Sequence, residues 1–490
     1  MTKPHVLIVG AGPVGLTMAA ELSRYQVGVR VVDKAAYHTD KSKALVLWSR
    51  TLELLDRGPG SQRFIDAGFK ADAVNLFAGQ KRVGHISMGS IDSPYPYGLM
   101  IPQADTERLL EGYLGELGVA VERSVEVAAL TVGGDGAEAV LKRPGAADEI
   151  VTADWVVGCD GAHSLVRHAV GAPFTGETMD SDWILADVHM RGYPSPDNEV
   201  SVYWHRDGAF VIFPIAPGRY RIIADLPRSG EALPATPTLD EAQAIIDRRG
   251  PPGLRAYDPI WLAGFRINGR KVSAYRWGRA FLAGDAAHVH SPAGGQGMNT
   301  GMQDAFNLAW KLALVVHGTC SENLLESYSP ERSYVGDQVL AAAQRLTVAG
   351  TLKNPIAQTV RNAVGHLVLG LAPVQHAFAD TMSEVSIGYP RSPLNGPGLG
   401  GPGPIPGDRF RPALDGTPVG SGNTPRFALF SATGDPANAL VKRLEPLVEL
   451  RSEPDHAYGL HLVRPDGYLA CSSTQLDEID AYLSRLLPSA

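Results

Sequence analysis

A glycine-rich loop between a buried strand and a helix constrains this 490-residue chain most strongly. Val6–Val9 is a continuous apolar run, which is typical of a buried parallel strand. The loop Gly10-Ala11-Gly12-Pro13-Val14-Gly15 follows, then a helix predicted over 16–25 and a strand over 29–32 that ends in Asp33. This order predicts a βαβ unit that binds a dinucleotide, with the pyrophosphate at the loop and the ribose at Asp33. The motif does not separate FAD from NAD.

A second glycine-rich stretch, residues 279–311, has the same strand–turn–helix order. Phe281–Ala283 predicts a short strand that runs into the turn Gly284-Asp285. Four residues that allow a tight backbone path come next: Pro292, Gly294, Gly295 and Gly297. From Met298 onward, apolar residues recur at helical spacing. The start of such a helix suits an anion, and Asp285 is placed to accept a hydrogen bond from a ligand hydroxyl. An ordinary strand–turn–helix is the alternative.

A third turn of this kind, Cys159-Asp160-Gly161, follows the predicted buried strand Trp155–Gly158. Gln103 precedes a helix predicted over 104–117, where it either binds a ligand or only begins the helix. Lys34 and Lys43 follow the first βαβ unit. Lys43 lies where the chain can pass over a bound cofactor, and a solvated surface lysine is the alternative.

Composition excludes several classes of protein. A formal net charge of -8 argues against a nucleic-acid partner. The three cysteines, Cys159, Cys320 and Cys471, are far apart and form no CxxC pair, which indicates a reducing compartment and no cysteine-based metal site. The longest later apolar run, within Val364–Val374, is short for a membrane span. We therefore expect a cytoplasmic protein that binds no membrane and no metal.

The hydrophobicity pattern over residues 182–270 differs from that of the preceding α/β region. The segments 184–190, 200–205, 209–216 and 219–226 alternate in hydrophobicity and are separated by Gly, Pro and Asp. This pattern predicts an antiparallel sheet inserted into the α/β domain. Its aromatic side chains are candidates for a substrate pocket, with Tyr203, His205 and Phe213 as the main residues and Pro292 nearby. A sheet core without ligand contacts explains the same residues.

The C-terminal part contains predicted helices over 321–345 and 355–383, a Gly/Pro linker and a tail of alternating strands and helices. The expected domains are as follows: dinucleotide-binding, 1–75, 100–180 and 271–320; substrate-binding, 76–99 and 181–270; helical segment, 321–392; linker, 393–406; small terminal domain, 407–490. In the α/β region the predicted strands include 119–127 and 130–141.

Taken together, the three motifs Gly10-x-Gly12-x-x-Gly15, Cys159-Asp160-Gly161 and Gly284-Asp285 resemble the fingerprint of the single-component FAD-dependent aromatic hydroxylases. That family includes p-hydroxybenzoate, phenol and polyketide hydroxylases and rifampicin monooxygenase. The resemblance covers nearly the whole chain. It implies a Rossmann-like FAD-binding domain, an inserted antiparallel-sheet substrate domain, a helical segment and a C-terminal thioredoxin-like domain.

The resemblance also implies residue roles. The first loop would hold the pyrophosphate of non-covalent FAD, Gln103 would bind the flavin, Asp160 would contact both FAD and the nicotinamide, and Asp285 would bind the ribityl chain. The expected cofactor-binding set is Gly10, Gly12, Pro13, Val14, Gly15, Asp33, Lys34, Lys43, Gln103, Val127, Asp160, Asp285, Pro292, Gly295, Gly297, Met298 and Asn299.

Two positions depart from the family pattern. Members usually have Arg-Ala where this chain has Lys43-Ala44, and lysine lacks the planar, bidentate head of arginine. The tail has only Cys471, so it supports a structural or oligomerisation role and no dithiol chemistry.

The resemblance implies an FAD-dependent monooxygenase. With NADPH or NADH and O2 it would hydroxylate a phenolic or polyketide-like ring through a C4a-hydroperoxyflavin. Its expected partners are therefore a small aromatic substrate, O2 and NAD(P)H, with a homodimer left open. The alternatives are a Baeyer–Villiger or antibiotic-inactivating monooxygenase and, in a different class, a flavin-bound redox sensor or ligand-sequestering protein.

Overall fold

The computed structural model describes residues 4–39, 42–228, 230, 236–400, 403–411, 416–431, 434–451 and 459–488. Parts of four predicted domains lie outside the described residues: 1–3 and 40–41 of the FAD-binding domain, 229 and 231–235 of the substrate-binding domain, 401–402 of the linker, and 412–415, 432–433, 452–458 and 489–490 of the tail.

The strands are numbered in chain order. They are β1 Val6–Val9, β2 Val29–Asp33, β3 Val46–Leu47, β4 Phe69–Ala71, β5 Ala73–Ala78, β6 Lys81–Ser87, β7 Gly98–Met100, β8 Val121–Arg123, β9 Glu126–Val132, β10 Ala137–Lys142, β11 Glu149–Ala153, β12 Trp155–Gly158, β13 Phe174–Arg191, β14 Glu199–His205, β15 Gly208–Ala216, β16 Arg219–Leu226, β17 Arg255–Val272, β18 Arg276–Trp277, β19 Ala280–Leu282, β20 His288–Val289, β21 Phe427–Phe430, β22 Val448–Arg451, β23 Leu460–Val463 and β24 Leu469–Ser473.

The helices are numbered in the same way. They are α1 Pro13–Arg24, α2 Ser49–Leu55, α3 Gln62–Ala67, α4 Gln103–Glu116, α5 Leu165–Ala169, α6 Leu239–Arg249, α7 Gly297–Val316, α8 Tyr328–Thr351, α9 Pro355–Val368, α10 Ala372–Met382, α11 Gly434–Arg443 and α12 Leu476–Ser484. Short 3-10 turns span Met88–Ser90, Gly284–Ala286 and Glu322–Ser327. Among the described residues, no helix has the length and hydrophobicity that crossing a membrane requires.

A six-stranded sheet in the order β18-β19-β12-β1-β2-β8 forms the α/β domain. All its neighbouring strands run parallel except β18 and β19. β1 is central and completely buried, as its apolar run predicts. α1 and α7 pack closely against each other. A Cβ added at Gly301 of α7 would lie 2.8 Å from Cγ2 of Val14 in α1 and 3.0 Å from Gly284 Cα. The two helices therefore begin near each other.

An eight-stranded sheet in the order β20-β17-β13-β16-β15-β14-β5-β6 forms the inserted domain. Only β14 and β5 are parallel; the other pairs are antiparallel. The sheet extends further than the predicted 76–99 and 181–270, because β5 begins at Ala73 and β13 at Phe174. One face packs on α6 through a core that includes Tyr203 and Phe210.

Three predicted elements are interrupted in the structure. The strand expected over 130–141 is two strands, β9 and β10, joined by a turn at 133–136. The strand expected over 119–127 breaks at Ser124, which has a left-handed φ of 55°. The helix expected over 355–383 is divided into α9 and α10, and Pro373 in the first turn of α10 lacks the N–H that a continuous helix needs.

The tail forms a four-stranded sheet in the order β22-β21-β23-β24, in which only β21 and β22 are parallel. A completely buried ion cluster joins it to the rest of the chain. Arg464, in the predicted turn between β23 and β24, donates to Glu331 of α8 at 2.7 and 3.0 Å. Lys311 of α7 lies 2.7 Å from the same carboxylate.

Candidate functional site

A cavity of about 440 Å³ lies between the α/β sheet and the inserted sheet. This volume is within the usual range for small-molecule pockets. Eleven of the predicted site residues line it: Gly12, Pro13, Val14, Lys43, Gln103, Phe213, Asp285, Pro292, Gly295, Gly297 and Met298.

The first wall of this central cavity is the start of α1. Gly10 and Gly15 make close packing possible, since a Cβ at Gly10 would lie 2.4 Å from Cys159 O and one at Gly15 would lie 1.9 Å from Gly10 O. Gly12 instead faces open space: the nearest atom to an added Cβ is Glu107 Oε1 at 4.0 Å. The first turn of α1 carries no acidic residue. Its positive end is therefore available to an anion.

The second wall is the start of α7, a 20-residue helix. Gly295 bends the chain just before it with a left-handed φ of 65°, a conformation that glycine adopts without strain. The first turn of α7 also lacks an acidic residue. Two helix N-termini thus face one cavity, and both favour negative charge there.

Asp285 follows Gly284, whose φ of 58° makes the turn after β19. The side chain of Asp285 is exposed to the cavity, and partial desolvation by the surrounding protein raises the pKa of its carboxyl. Asp304 of α7 holds this turn: its carboxylate accepts the Gly284 N–H at 2.9 Å and a hydrogen bond from Arg332 Nε at 2.6 Å.

Asp33 lies at the end of β2, beside the first glycine loop. Its two carboxylate oxygens accept hydrogen bonds from the backbone N–H groups of Ala11 at 2.6 Å and Ala35 at 2.7 Å. The carboxylate thereby orders the loop, and each oxygen has a second lone pair for another donor.

Gln103 and Lys43 contribute differently to the cavity wall. The Gln103 amide accepts the Ala44 N–H at 3.2 Å and donates to Glu107 at 2.8 Å, so it ties α4 to the 42–44 loop. Lys43 is exposed, and its backbone carbonyl accepts a hydrogen bond from Arg221 at 3.0 Å.

Several predicted cofactor residues do not line the cavity. Val127 is 4% exposed and lies in the apolar core, and Lys34 is exposed on the surface. Asp160 supports the start of α5, whose N-cap residue is Ser164: the Oδ2 of Asp160 accepts the N–H groups of Leu165 and Val166 at 2.7 and 3.1 Å.

The side chain of Asn299 likewise has a structural role, because its amide is hydrogen-bonded to the backbone. It is completely buried, donates to Val46 O at 2.8 Å and accepts the Trp48 N–H at 2.8 Å. This amide clamps β3 to the first turn of α7. Asn299 therefore shapes the cavity wall from behind it.

The expectation that Tyr203 and His205 line the same pocket as Phe213 is wrong. Tyr203 pairs with Phe210 across the sheet, and both side chains pack in the core against α6. Strand alternation puts His205 on that face also, whereas Phe213 lies on the opposite face and lines the cavity.

Sequence reasoning missed four residues around the cavity. Asp304 and Arg332 form the buried pair behind the Asp285 turn. Arg221 lines the cavity and is held by Asp187 at 2.6 and 2.9 Å. His290, also on the wall, donates from Nδ1 to Ser291 O at 2.8 Å, and burial lowers its pKa to about 4. The one local feature of the sequence that points to His290 is the presence of two histidines, His288 and His290, shortly after the turn at Gly284-Asp285.

Comparison with known proteins gives concordant matches. A family model described as an FAD binding domain matches residues 3–343. The 6-methylpretetramide 4-monooxygenase of Streptomyces rimosus is 36% identical over 95% of this chain and 90% of its own length. The rifampicin monooxygenase of Streptomyces venezuelae is 34% identical over 78% of this chain and 79% of its own.

The solved structure of the anhydrotetracycline hydroxylase OxyS from Streptomyces rimosus has a TM-score of 0.83 to this chain. It is 29% identical to the chain, and the alignment covers 100% of both. The similarity therefore extends through the inserted sheet and the tail.

Proposed function

This chain belongs to the FAD-binding family of flavin-dependent monooxygenases, and we propose that it uses NAD(P)H and O2 to hydroxylate an aromatic, polyketide-like substrate. The observation that carries the proposal is the convergence of two acid-free helix N-termini and the Asp285 carboxylate on one cavity. Relatives named as monooxygenases of 6-methylpretetramide, rifampicin and anhydrotetracycline support the substrate class.

The residues of the cavity fit FAD. Gly12 leaves space for a pyrophosphate at the positive end of α1, and Asp33 lies beside that loop for a ribose hydroxyl. Asp285 would accept a hydrogen bond from the ribityl chain, and the segment from Gly295 to Met298 would lie along the isoalloxazine edge. When bound, FAD supplies electron transfer from NAD(P)H and activation of O2, chemistry that amino-acid side chains do not provide.

The substrate would lie against the apolar part of the cavity. Phe213, Ile223 and Pro292 line that part. Behind it is a buried cluster that includes Val46 and Met382. Such a wall binds a flat ring system by apolar contact and excludes water from the reacting atoms.

Two side chains on the cavity wall, Arg221 and His290, would influence the geometry and the charge of this site. Arg221, fixed by Asp187, holds the loop that carries Lys43 through the Lys43 carbonyl. His290 stays neutral at physiological pH because burial lowers its pKa to about 4, so it adds no positive charge to the wall. Both groups would position the reactants and would not react themselves.

We propose that the tail is a thioredoxin-like domain that has no redox function. Its sheet order, with β21 parallel to β22 and antiparallel to β23, and its helices α11 and α12 support that fold. Cys471 is completely buried, and no disulfide forms among the described cysteines. These buried thiols support the proposed cytoplasmic location.

We also propose that the chain forms a homodimer. An apolar stripe on and just after α9 supports this assembly. Its five side chains are between 52% and 76% exposed: Ile356, Val360, Val364, Leu367 and Leu371. A stripe of this kind is typical of a helix that packs on a partner.

The test is turnover of the FAD-loaded protein with NADPH and with NADH, in a screen of phenols, aminophenols and aromatic polyketides. We expect substrate-stimulated NAD(P)H oxidation and a product that has gained one oxygen atom. NMR of the product then separates a ring hydroxyl from the ester or lactone of a Baeyer–Villiger reaction. Tight ligand binding with no turnover for any compound would overturn the proposal in favour of a ligand-sequestering protein.

A further inference from the structure

A second cavity, of about 600 Å³, lies between the α2 region and the tail. It shares no lining residue with the central cavity. Arg50 of α2 and Arg57, two residues beyond the end of α2, form one side of it. Phe410, Phe430 and Val463 of the tail form the other. Nothing in the proposed hydroxylation uses this interdomain cavity.

Arg57 is a buried cation without a counter-ion. It is only 8% exposed, and its Nη1 donates to Pro465 O at 2.8 Å. No described carboxylate lies within 4.0 Å of its guanidinium, and its buried Nε has no hydrogen-bond partner. Burial and the neighbouring Arg50 lower the pKa of Arg57 to about 10, and the more distant charges of Asp466 and Glu21 only partly oppose them. A buried charge without an ion-pair partner is unfavourable, so an anion at this position would be favoured.

Most other buried arginines in the described chain have the partner that Arg57 lacks; the exception is Arg167, whose guanidinium donates to the backbone carbonyls of Ala286 and Ala162 at 3.1 and 2.7 Å. Arg24 pairs with Glu21 at 2.6 Å. Arg332 pairs with Asp304, also at 2.6 Å. The absence of such a partner at Arg57 is therefore not a general feature of this fold.

The carboxylates that line the interdomain cavity are already satisfied. Glu53 pairs with Arg50 at 2.9 Å, and Glu449 pairs with Arg451 at 2.5 Å. The third, Asp56, is exposed and accepts hydrogen bonds from a serine and a tyrosine hydroxyl at 2.8 Å. None of these acids forms an ion pair with Arg57, and the two acids that act on it from farther away, Asp466 and Glu21, pair with Arg464 and Arg24. The positive charge of Arg57 is therefore available to a ligand.

The opposite wall is apolar. Phe410 and Phe430 stack with ring centroids 4.9 Å apart, and Val463 lies beside them. We propose that the interdomain cavity is a ligand site for a small organic anion, with its carboxylate or phosphate on Arg57 and its apolar body against these side chains. Such a ligand contacts both the α2 region and the tail, and it therefore links them.

The test uses the FAD-loaded full-length protein at constant ionic strength, with phenyl phosphate, benzoate and inorganic phosphate as probes. Calorimetric titration and thermal denaturation measure binding. We expect saturable binding of at least one organic probe with a rise in the denaturation midpoint. Stronger binding of phenyl phosphate or of benzoate identifies the preferred oxyanion.

Two variants localise the binding. Arg57→Gln should weaken it at least tenfold, while Arg63→Gln, which changes a partly exposed arginine paired with Glu116, should leave it unchanged. Thr417→Trp places a bulky side chain at an exposed position of the cavity wall and should block binding even if Arg57→Gln does not fold. Absence of saturable binding for all three probes would overturn the proposal. So would equal binding by wild type and Arg57→Gln, because the probe would then occupy another site.

Discussion

The carboxylate of Asp304 joins the Gly284 backbone N–H, at 2.9 Å, to the guanidinium of Arg332, at 2.6 Å, in the completely buried space behind the central cavity. Burial opposes ionisation of Asp304, but the charge of Arg332 and the contact with His288 outweigh it and hold the pKa of the Asp304 carboxyl below its usual value. The turn that presents Asp285 is therefore held by a buried ion pair.

Asp304→Asn should destabilise the protein strongly. The substitution leaves Arg332 buried without a counter-charge, and breaking such a pair typically costs about 3–5 kcal/mol. Thermal denaturation of the FAD-loaded protein measures the loss, with Asp105→Asn, a partly exposed acid at the start of α4, as the control. An unchanged midpoint would show that the pair does not support the turn.

Asp285→Ala should weaken FAD binding without a comparable loss of stability. The side chain lines the cavity, and a charge-assisted hydrogen bond contributes about 1.5–3 kcal/mol, which is roughly 10- to 150-fold in affinity. Titration of the apoprotein by flavin fluorescence measures this difference. Equal affinity in wild type and variant would contradict the assigned role of Asp285.

Substitutions of Lys43 test whether the lysine that replaces the family's arginine takes part in flavin binding and reduction. It is exposed at the cavity, so Lys43→Ala should change stability by less than about 0.5 kcal/mol while slowing reduction by NAD(P)H. Lys43→Arg should restore a planar head and tighten FAD or change its mobility. Stopped-flow reduction with substrate present compares the variants, with Lys142→Ala, an exposed lysine of β10, as the control. If all reduce at one rate, Lys43 is only a surface residue.

From the buried Glu384 we predict that the free energy of unfolding depends on pH. It is completely buried beneath the first turns of α7, where it accepts a hydrogen bond from Thr300 at 2.9 Å. Burial raises its pKa from 4.5 to about 8. The folded state thus holds a proton that the unfolded chain releases, so the stability contributed is complete below pH 4.5 and is lost as the pH rises through about 8.

Denaturant unfolding between pH 5 and 9 measures this loss. Glu384→Gln carries no titratable proton and should flatten the pH dependence over that range. A variant as pH-sensitive as the wild type would assign the effect to another group.

Cys471→Ser should leave turnover intact and lower stability. The thiol is completely buried, and burying a hydroxyl without a partner typically costs about 1–3 kcal/mol. Activity per folded molecule at 25 °C and the denaturation midpoint separate the two effects. Loss of activity at unchanged stability would indicate a redox role for the tail.

The features that sequence determined by itself are short and local. The loop from Gly10 to Gly15 and the turn at Gly284-Asp285 each depend on a strand, a glycine and a helix that are adjacent in the chain, so spacing alone predicts them. Alternation likewise located the strands β14 to β16 to within one residue of their ends.

Tertiary structure decided which of these residues meet. Alternation shows that Tyr203 and Phe213 belong to strands, but only the register across the sheet places one against α6 and the other at the cavity. Asn299 is in the recognised motif, yet its amide is used by backbone about 250 residues earlier in the chain. Arg57 and Pro465 are 408 positions apart. No local pattern encodes such contacts, because they arise only when separately folded elements pack together.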